Sequence, residues 1–185
     1  MKLSNGYQYH VLCEDAQMKT FILGVLSYHK IPSGKISVSN IPCGQGSGAA
    51  FVRKELSKEI QILKATNYLR RVLIVCIDAD AYTVEERMRE LHKTIEKVIP
   101  KWKREDDFVM FWIPKHQIET WIKHLSGESV DEEMTFIHSG KPVNCKSEAE
   151  RFAMYCQDLE EIECPMVNSL SSAKKEYIRV CEMQK

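Results

Sequence analysis

Two carboxylates, Asp78 and Asp80, stand one residue apart at the end of the apolar run RVLIVCI, residues 71–77. If the two acids lie about 4 Å apart, they repel by about 4 kcal/mol at an effective dielectric constant of about 20. A bound cation, a Lys or Arg partner, or a raised pKa on one acid must offset that repulsion. The alternative is that both side chains face solvent and that one of them merely caps the next helix.

A third acid, Glu14, follows the aromatic and apolar stretch from Tyr7 to Cys13. If this stretch and the run before Asp78 are neighbouring parallel strands, the acids lie together at the carboxyl edge of the sheet. Ligands bind at that edge in open α/β folds. Taken alone, Glu14 is more commonly a solvated acid in the first turn of a helix, where the helix dipole favours negative charge.

The elements that position these acids follow from the hydrophobic pattern. The run before Asp78 is rich in β-branched residues and does not alternate, which indicates a parallel strand buried on both faces. Thr83 and Glu86 have the spacing of a capping box, so the acids lie in a strand-to-helix turn. Ser147 and Glu150 predict a second capping box. The predicted strands are residues 7–13, 36–41, 71–80 and 108–113.

The alternation of strands and helices predicts one α/β domain over residues 1–125. Residues 126–185 are predicted to be a C-terminal loop and helical appendage packed on it. A glycine-containing loop, residues 42–48, precedes the second helix and would lie over the carboxyl edge. Its glycines could bring N–H groups to a phosphate, but it lacks the GxxxxGK[ST] pattern of a P-loop, and a mobile loop without a ligand is the commoner explanation.

Composition excludes some functions. The chain has 26 basic and 26 acidic side chains in 185 residues, so any affinity for nucleic acid must come from a local basic patch. No apolar run approaches the roughly 20 residues of a membrane span, and the start of the chain is polar. We therefore expect a soluble, cytoplasmic protein that does not bind membranes. The seven cysteines include no C-x-x-C pair and are expected to be free thiols.

A strand ending in Glu14 and a later strand ending in Asp78-x-Asp80, with βα units between them, resemble the Toprim domain. This domain binds metal in type IA and type II topoisomerases, bacterial primases and OLD-family nucleases. The resemblance covers roughly residues 7–125. It implies a Rossmann-like, four-stranded parallel sheet with helices on both faces, in which the first and third strands are neighbours. A small stand-alone protein of this kind looks most like the nuclease branch, which acts in bacterial anti-phage defence, often with an ATPase.

The resemblance also implies a metal site. Glu14, Asp78 and Asp80 would hold Mg²⁺, or Mn²⁺ in its place, and the metal would act on a phosphodiester of DNA or RNA. Mg²⁺ takes oxygen ligands and keeps several waters, so two or three carboxylates with a substrate phosphate suffice. With two ions about 4 Å apart, one can activate water and the other can stabilise the leaving oxygen.

Three residues after the fourth predicted strand extend this assignment. Glu119 follows the strand closely enough to reach the same edge and is then a candidate fourth ligand. Lys115 or Lys123 could neutralise charge in the transition state. Glu119 could instead be only the i, i+4 ion-pair partner of Lys123 on the helix surface.

Two other functions fit the same acids. The chain could be a Toprim-like partner or regulatory subunit whose acids have no catalytic role. Asp78-x-Asp80 also resembles motif one of haloacid-dehalogenase-type phosphatases, although that family usually has this strand near the chain start and needs a later acidic pair after a strand. Within the nuclease hypothesis we expect an oligomer or a complex with an ATPase, because a neutral chain has little electrostatic affinity for nucleic acid.

Overall fold

Four parallel strands form one sheet in the computed structural model, which describes residues 1–40, 48–66, 68–136, 142–159 and 167–185. In chain order they are β1 (Gln8–Cys13), β2 (Ile36–Val38), β3 (Arg71–Cys76) and β4 (Val109–Trp112). Across the sheet their order is β2-β1-β3-β4. The predicted parallel sheet with the first and third strands as neighbours is confirmed, and the fold is Rossmann-like.

The described residues form six α-helices, which cover both faces of the sheet. They are α1 (Ala16–Tyr28), α2 (Gly48–Ala65), α3 (Val84–Glu96), α4 (Ile118–Leu125), α5 (Lys146–Cys156) and α6 (Asn168–Met183). Helices α2 and α3 pack on one face, and the other four pack on the opposite face. The expectation of helices on both faces is confirmed.

Strand β3 is buried on both faces, as its unbroken apolar composition predicts. Val72 and Ile74 lie in the core shared with α1, whereas Leu73 and Val75 lie in the core shared with α2. Successive side chains of a strand point to opposite faces. With helices on both sides, the strand is therefore apolar at every position after Arg71.

Helices α5 and α6, in the region assigned to the appendage, share the core of the α1 face. Aromatic rings from α1, β4, α4 and α5 meet there with neighbouring centroids 5.1 to 6.4 Å apart. These rings belong to Phe21, Trp112, Trp121 and Phe152. Since large aromatic side chains contribute much of the buried apolar area of a core, the C-terminal helices complete the core of this face.

Helix α6 also closes the outer edge of β4. The Glu176 carboxylate accepts a hydrogen bond from the Phe111 N–H at 3.4 Å, and the Arg179 guanidinium donates to the Val109 carbonyl. An open strand edge invites pairing with another chain. The polar side chains of α6 therefore replace a fifth strand at this edge.

The predicted second capping box is wrong. Helix α5 begins at Lys146, its N-cap Cys145 makes no side-chain cap hydrogen bond, and Ser147 lies inside the first turn. The Asn144 side chain accepts a hydrogen bond from the Lys146 N–H at 3.2 Å. Because Asn144 satisfies an otherwise free N–H at the helix start, the helix begins before Ser147, which cannot then act as its cap.

Three further expectations concern the glycine-containing loop, membrane-spanning segments and the cysteines. Most of the glycine-containing loop falls in residues 41–47, which lie outside the described residues. None of the described helices is long and apolar enough to span a membrane. Five cysteines in the described part of the chain are free and buried: Cys13, Cys76, Cys145, Cys156 and Cys181.

Candidate functional site

The carboxyl edge of the sheet brings Glu14 and Asp78 together. Glu14 follows β1 directly, and Asp78 lies two residues after β3. The two strands pair in register as far as Cys13 and Cys76. Beyond that pair, the Asp78 N–H donates to Glu14 Oε2 at 3.2 Å, across 64 residues of chain. Parallel pairing of the strands is therefore what assembles these two acids.

Asp78 is a buried acid in an unfavourable setting. The residue is 8% exposed, and its Oδ1 accepts no hydrogen bond from any described residue. Burial raises the pKa of Asp78 well above its usual range, and the negative charges of Glu14, Asp15, Asp80 and Glu119 raise it further. The charged form of Asp78 is therefore unfavourable in the folded protein unless a cation lies close to it.

Glu14 is half-buried against the start of α2. Burial raises the pKa of Glu14, whereas hydrogen bonds from the N–H groups of Asp78 and Ala49 lower it, so that the net shift is upward. A Cβ atom at Gly48 would lie 2.3 Å from the Glu14 carbonyl oxygen and 2.4 Å from its Cγ. Only glycine lets the first residue of α2 come this close. The helix N-terminus thus lies directly beside the Glu14 carboxylate and stabilises its charge.

The turn from β3 to α3 carries Asp78 and Asp80. At its far end, Thr83 Oγ1 accepts from the Glu86 N–H at 3.1 Å, and the Glu86 carboxylate accepts from the Thr83 N–H at 2.8 Å. The predicted first capping box is confirmed. Asp80 has a φ of +54°, a left-handed conformation that aspartate tolerates better than most residues. The tight turn therefore depends on a residue type that also suits the chemistry of the edge.

Arg87 is hydrogen-bonded to this turn, and it is not among the site residues predicted from the sequence. Its guanidinium is almost fully buried and donates to the carbonyls of Asp78 at 2.9 Å and Ala79 at 3.2 Å. It also lies 3.4 Å from Asp80 Oδ2. An arginine inside the apolar stripe of α3, between Val84 and Leu91, is the signal that could have found it. Arg87 therefore pairs with Asp80 and, more closely, with Glu90, while burial and neighbouring acids raise the pKa values of Asp78 and Glu14.

Lys115 lies beside the same turn. Its ammonium donates to the backbone carbonyls of Asp80 at 3.3 Å and Tyr82 at 3.1 Å, and it lies 3.7 Å from a carboxylate oxygen of Glu133. The Pro114 carbonyl accepts a hydrogen bond from the Ala79 N–H at 2.8 Å. The segment after β4 is therefore hydrogen-bonded to the acidic turn, and the backbone carbonyls of that turn position the Lys115 ammonium.

Glu119 lies in the first turn of α4 and is half-buried. Burial raises the pKa of Asp78 and of the Cys145 thiol, and the negative charge of Glu119 adds to both shifts. The Lys123 ammonium lies 4.0 Å from the Phe136 ring centroid and 3.8 Å from a Glu128 carboxylate oxygen. Glu119 thus acts electrostatically on the acids at the carboxyl edge, and Lys123 contacts Phe136 and Glu128.

The donor types of this cluster fit a divalent cation. Carboxylate oxygens are the ligands that Mg²⁺ and Mn²⁺ prefer. A nearby cation would offset the cost of the buried negative charge and the repulsion between the acids, which together raise the pKa of Asp78. Among the described residues, however, no three His, Cys, Asp or Glu side chains are grouped as a ready-made metal site. Asp80, the third expected ligand, is instead bound by Arg87. The arrangement is a set of acids that a cation could draw together.

Comparisons with known proteins add no relative. No family model, curated protein or solved structure matches the chain. The functional argument therefore depends on the chemistry of the acidic cluster.

Proposed function

We propose that this chain is a Toprim-like, Mg²⁺-dependent nuclease that hydrolyses phosphodiester bonds of DNA or RNA at the acidic cluster. The observation that carries the proposal is Asp78, a buried acid beside Glu14 at the carboxyl edge of a parallel sheet, whose Oδ1 accepts no hydrogen bond from the described residues. Such an acid is costly to the fold unless a ligand compensates it. Perturbed acids of this kind are concentrated at functional sites.

The residues of this chain would divide the work as follows. Glu14 and Asp78 would hold a cation, joined by Asp80 once its carboxylate leaves Arg87. When bound, the ion would activate water and stabilise negative charge on the phosphate. Arg87 keeps the turn in place through the main-chain carbonyls of Asp78 and Ala79. Lys115 would move its ammonium from Glu133 to a phosphate oxygen, because its pair with that exposed acid is weak.

The setting that we propose is cytoplasmic, in an oligomer or a complex with an ATPase that takes part in anti-phage defence. The support for a partner is electrostatic. With 26 basic and 26 acidic side chains, the chain has no overall attraction to the nucleic-acid backbone. A partner subunit would supply the affinity that the isolated chain lacks.

The test is cleavage of single-stranded DNA, double-stranded DNA and RNA in Mg²⁺ or Mn²⁺, with and without the product of a neighbouring gene. Glu14→Gln and Asp78→Asn should each reduce the rate by about 100-fold or more, since each loosens an ion that supplies several kcal/mol of transition-state stabilisation. Glu119→Gln tests the fourth ligand. Glu105→Gln is the matched control, because Glu105 is exposed and lies at the other end of the sheet.

A second function is favoured by one observation: Asp80 pairs with Arg87, and the part of the chain that the structure describes holds no ready-made group of metal ligands. In this alternative the chain is a non-catalytic partner subunit. If the wild-type protein cuts no nucleic acid even with its partner present, the nuclease proposal fails. An equal rate for wild type and Asp78→Asn would also contradict it, because cleavage would then come from a contaminant.

A further inference from the structure

A cavity of about 250 Å³ opens at the end of the sheet opposite the acidic cluster. Tyr7, just before β1, lies on its wall, whereas Glu14 follows the other end of this strand of six residues. At about 3.3 Å per residue, the cavity is about 20 Å from the acids. Its charged and aromatic lining comprises Tyr7, Lys64, Arg70, Arg71, Asp107 and Phe108.

The lining of the cavity has an excess of positive charge, with three cationic side chains and one acid. Lys64 Nζ lies 2.7 Å from Asp107 Oδ1, and the Arg71 guanidinium lies 3.7 Å from a Glu59 carboxylate oxygen. Within the described side chains Arg70 has no ion-pair partner, and its guanidinium lies 6.0 Å from the Tyr7 ring centroid. An anion would complete this set, and guanidinium binds phosphate oxygens well.

The rest of the wall is aromatic and aliphatic. The Tyr7 and Phe108 rings contact each other with centroids 5.2 Å apart and planes at 50°. Leu63 and Leu69 extend the apolar surface. A flat aromatic group gains both stacking and apolar contact against such a wall. The cavity therefore combines a surface for a ring with a cation for a negative group.

We propose that this cavity binds one nucleotide, with the base against Tyr7 and Phe108 and the phosphate on Arg70 and Lys64. Nucleobases stack on aromatic side chains while arginine and lysine bind the phosphate. The volume is just below the roughly 300–1,000 Å³ of pockets for drug-sized ligands, which limits the occupant to about one nucleotide. The nucleotide can be free or can be the end of a strand. The site is independent of the proposed nuclease function, because it shares no residue with the acidic cluster.

The test measures binding of adenosine monophosphate by calorimetry in EDTA, using the Asp78→Asn protein so that the acidic edge cannot contribute through a metal. We expect adenosine and orthophosphate to bind at least about tenfold more weakly than the nucleotide, since each makes only part of the contacts. Arg70→Ala should weaken nucleotide binding about tenfold or more, because hydrogen bonds to charged groups are strong. Arg89→Ala, which removes an exposed arginine of α3, should leave the affinity unchanged.

A 5′-phosphorylated trinucleotide distinguishes the two sources of the ligand. If it binds as tightly as adenosine monophosphate, the site takes a strand end, and if it binds much more weakly, the site takes the free nucleotide. Both results support the proposal. No binding of adenosine monophosphate at about 1 mM overturns it, as does equal affinity of the Asp78→Asn protein with and without Arg70→Ala. Unfolding curves of the variants exclude loss of binding through loss of the fold.

Discussion

Asp78 and Glu132 are equally buried acids, each 8% exposed, in opposite surroundings. Glu132 belongs to the loop after α4, and its carboxylate lies at the start of α6. There it accepts hydrogen bonds from the N–H groups of Asn168 at 2.8 Å and Ser169 at 3.0 Å. The Ser169 hydroxyl also donates to it and in turn accepts from Trp121 Nε1 at 2.7 Å. Asp78 has a buried oxygen that accepts nothing from the described residues.

The difference is that Glu132 stabilises the folded state, whereas the charged form of Asp78 destabilises it. Glu132 links the loop after α4 to two otherwise free N–H groups of α6, a stabilising arrangement for a carboxylate. Asp78 adds burial and repulsion from neighbouring acids to the folded state. A fold retains such a cost where a ligand offsets it, and this is the physical reason to place function at the carboxyl edge.

The largest effect that the comparison predicts is on the structural acid. Glu132→Ala should lower the free energy of unfolding by about 3 kcal/mol, since it removes hydrogen bonds to a charged group and leaves helix N–H groups unpaired. Chemical denaturation measures this change. Glu133→Ala is the matched control, because its side chain is 69% exposed and its ion pairs are surface pairs, so it should change stability by less than about 1 kcal/mol. Equal effects of the two substitutions would remove the distinction.

The next effect concerns a cation at the other acid. Mg²⁺ or Mn²⁺ at about ten times its dissociation constant should stabilise the folded protein by about 1.4 kcal/mol through mass action. The rise in melting temperature should vanish in the Asp78→Asn, Asp80→Asn double variant. Thermal unfolding with and without EDTA measures both. A melting curve of the wild type that does not respond to millimolar metal would count against the acidic edge as a cation site.

The smallest effect is on the stability of the protein without metal. Asp78→Asn should raise the free energy of unfolding at neutral pH by about 1 kcal/mol, because it removes a buried charge among other acids. Most substitutions of buried polar residues destabilise, so the sign of this change is the informative result. Destabilisation by Asp78→Asn in EDTA would show that the Asp78 carboxylate is compensated within the protein.

The pH dependence of the same variant sharpens this result. The pKa values of Asp78 and Glu14 are raised in the folded state. Their protonated forms therefore favour folding below the unfolded-state pKa values of about 4, and that contribution is lost as the pH rises through the folded-state values. The wild type should lose stability over this rise, and Asp78→Asn should lose less. Parallel curves for the two proteins would mean that Asp78 does not titrate with a raised pKa.

Much of the fold follows from local patterns. The apolar run of β3, the stripe of α3 and the Thr83–Glu86 capping box each depend on residues close in sequence, and all three are present in the structure. The Ser147–Glu150 spacing failed because the Asn144 side chain starts α5 earlier than the pattern suggests. Patterns of spacing identify elements well but mark their ends only when the competing side chains are known.

Hydrophobic periodicity is local, so the alternation of strands and helices, and hence which acids follow which strands, can be predicted from the order of the residues. The environment of those acids depends on contacts between distant parts of the chain. Glu14 meets Asp78 across 64 residues, and Arg87 pairs with the Asp80 carboxylate while it donates to the main-chain carbonyl of Asp78. Burial and charge act through distances in space rather than along the chain. The carboxylates of Asp78 and Glu132 therefore acquire different roles only when the chain folds.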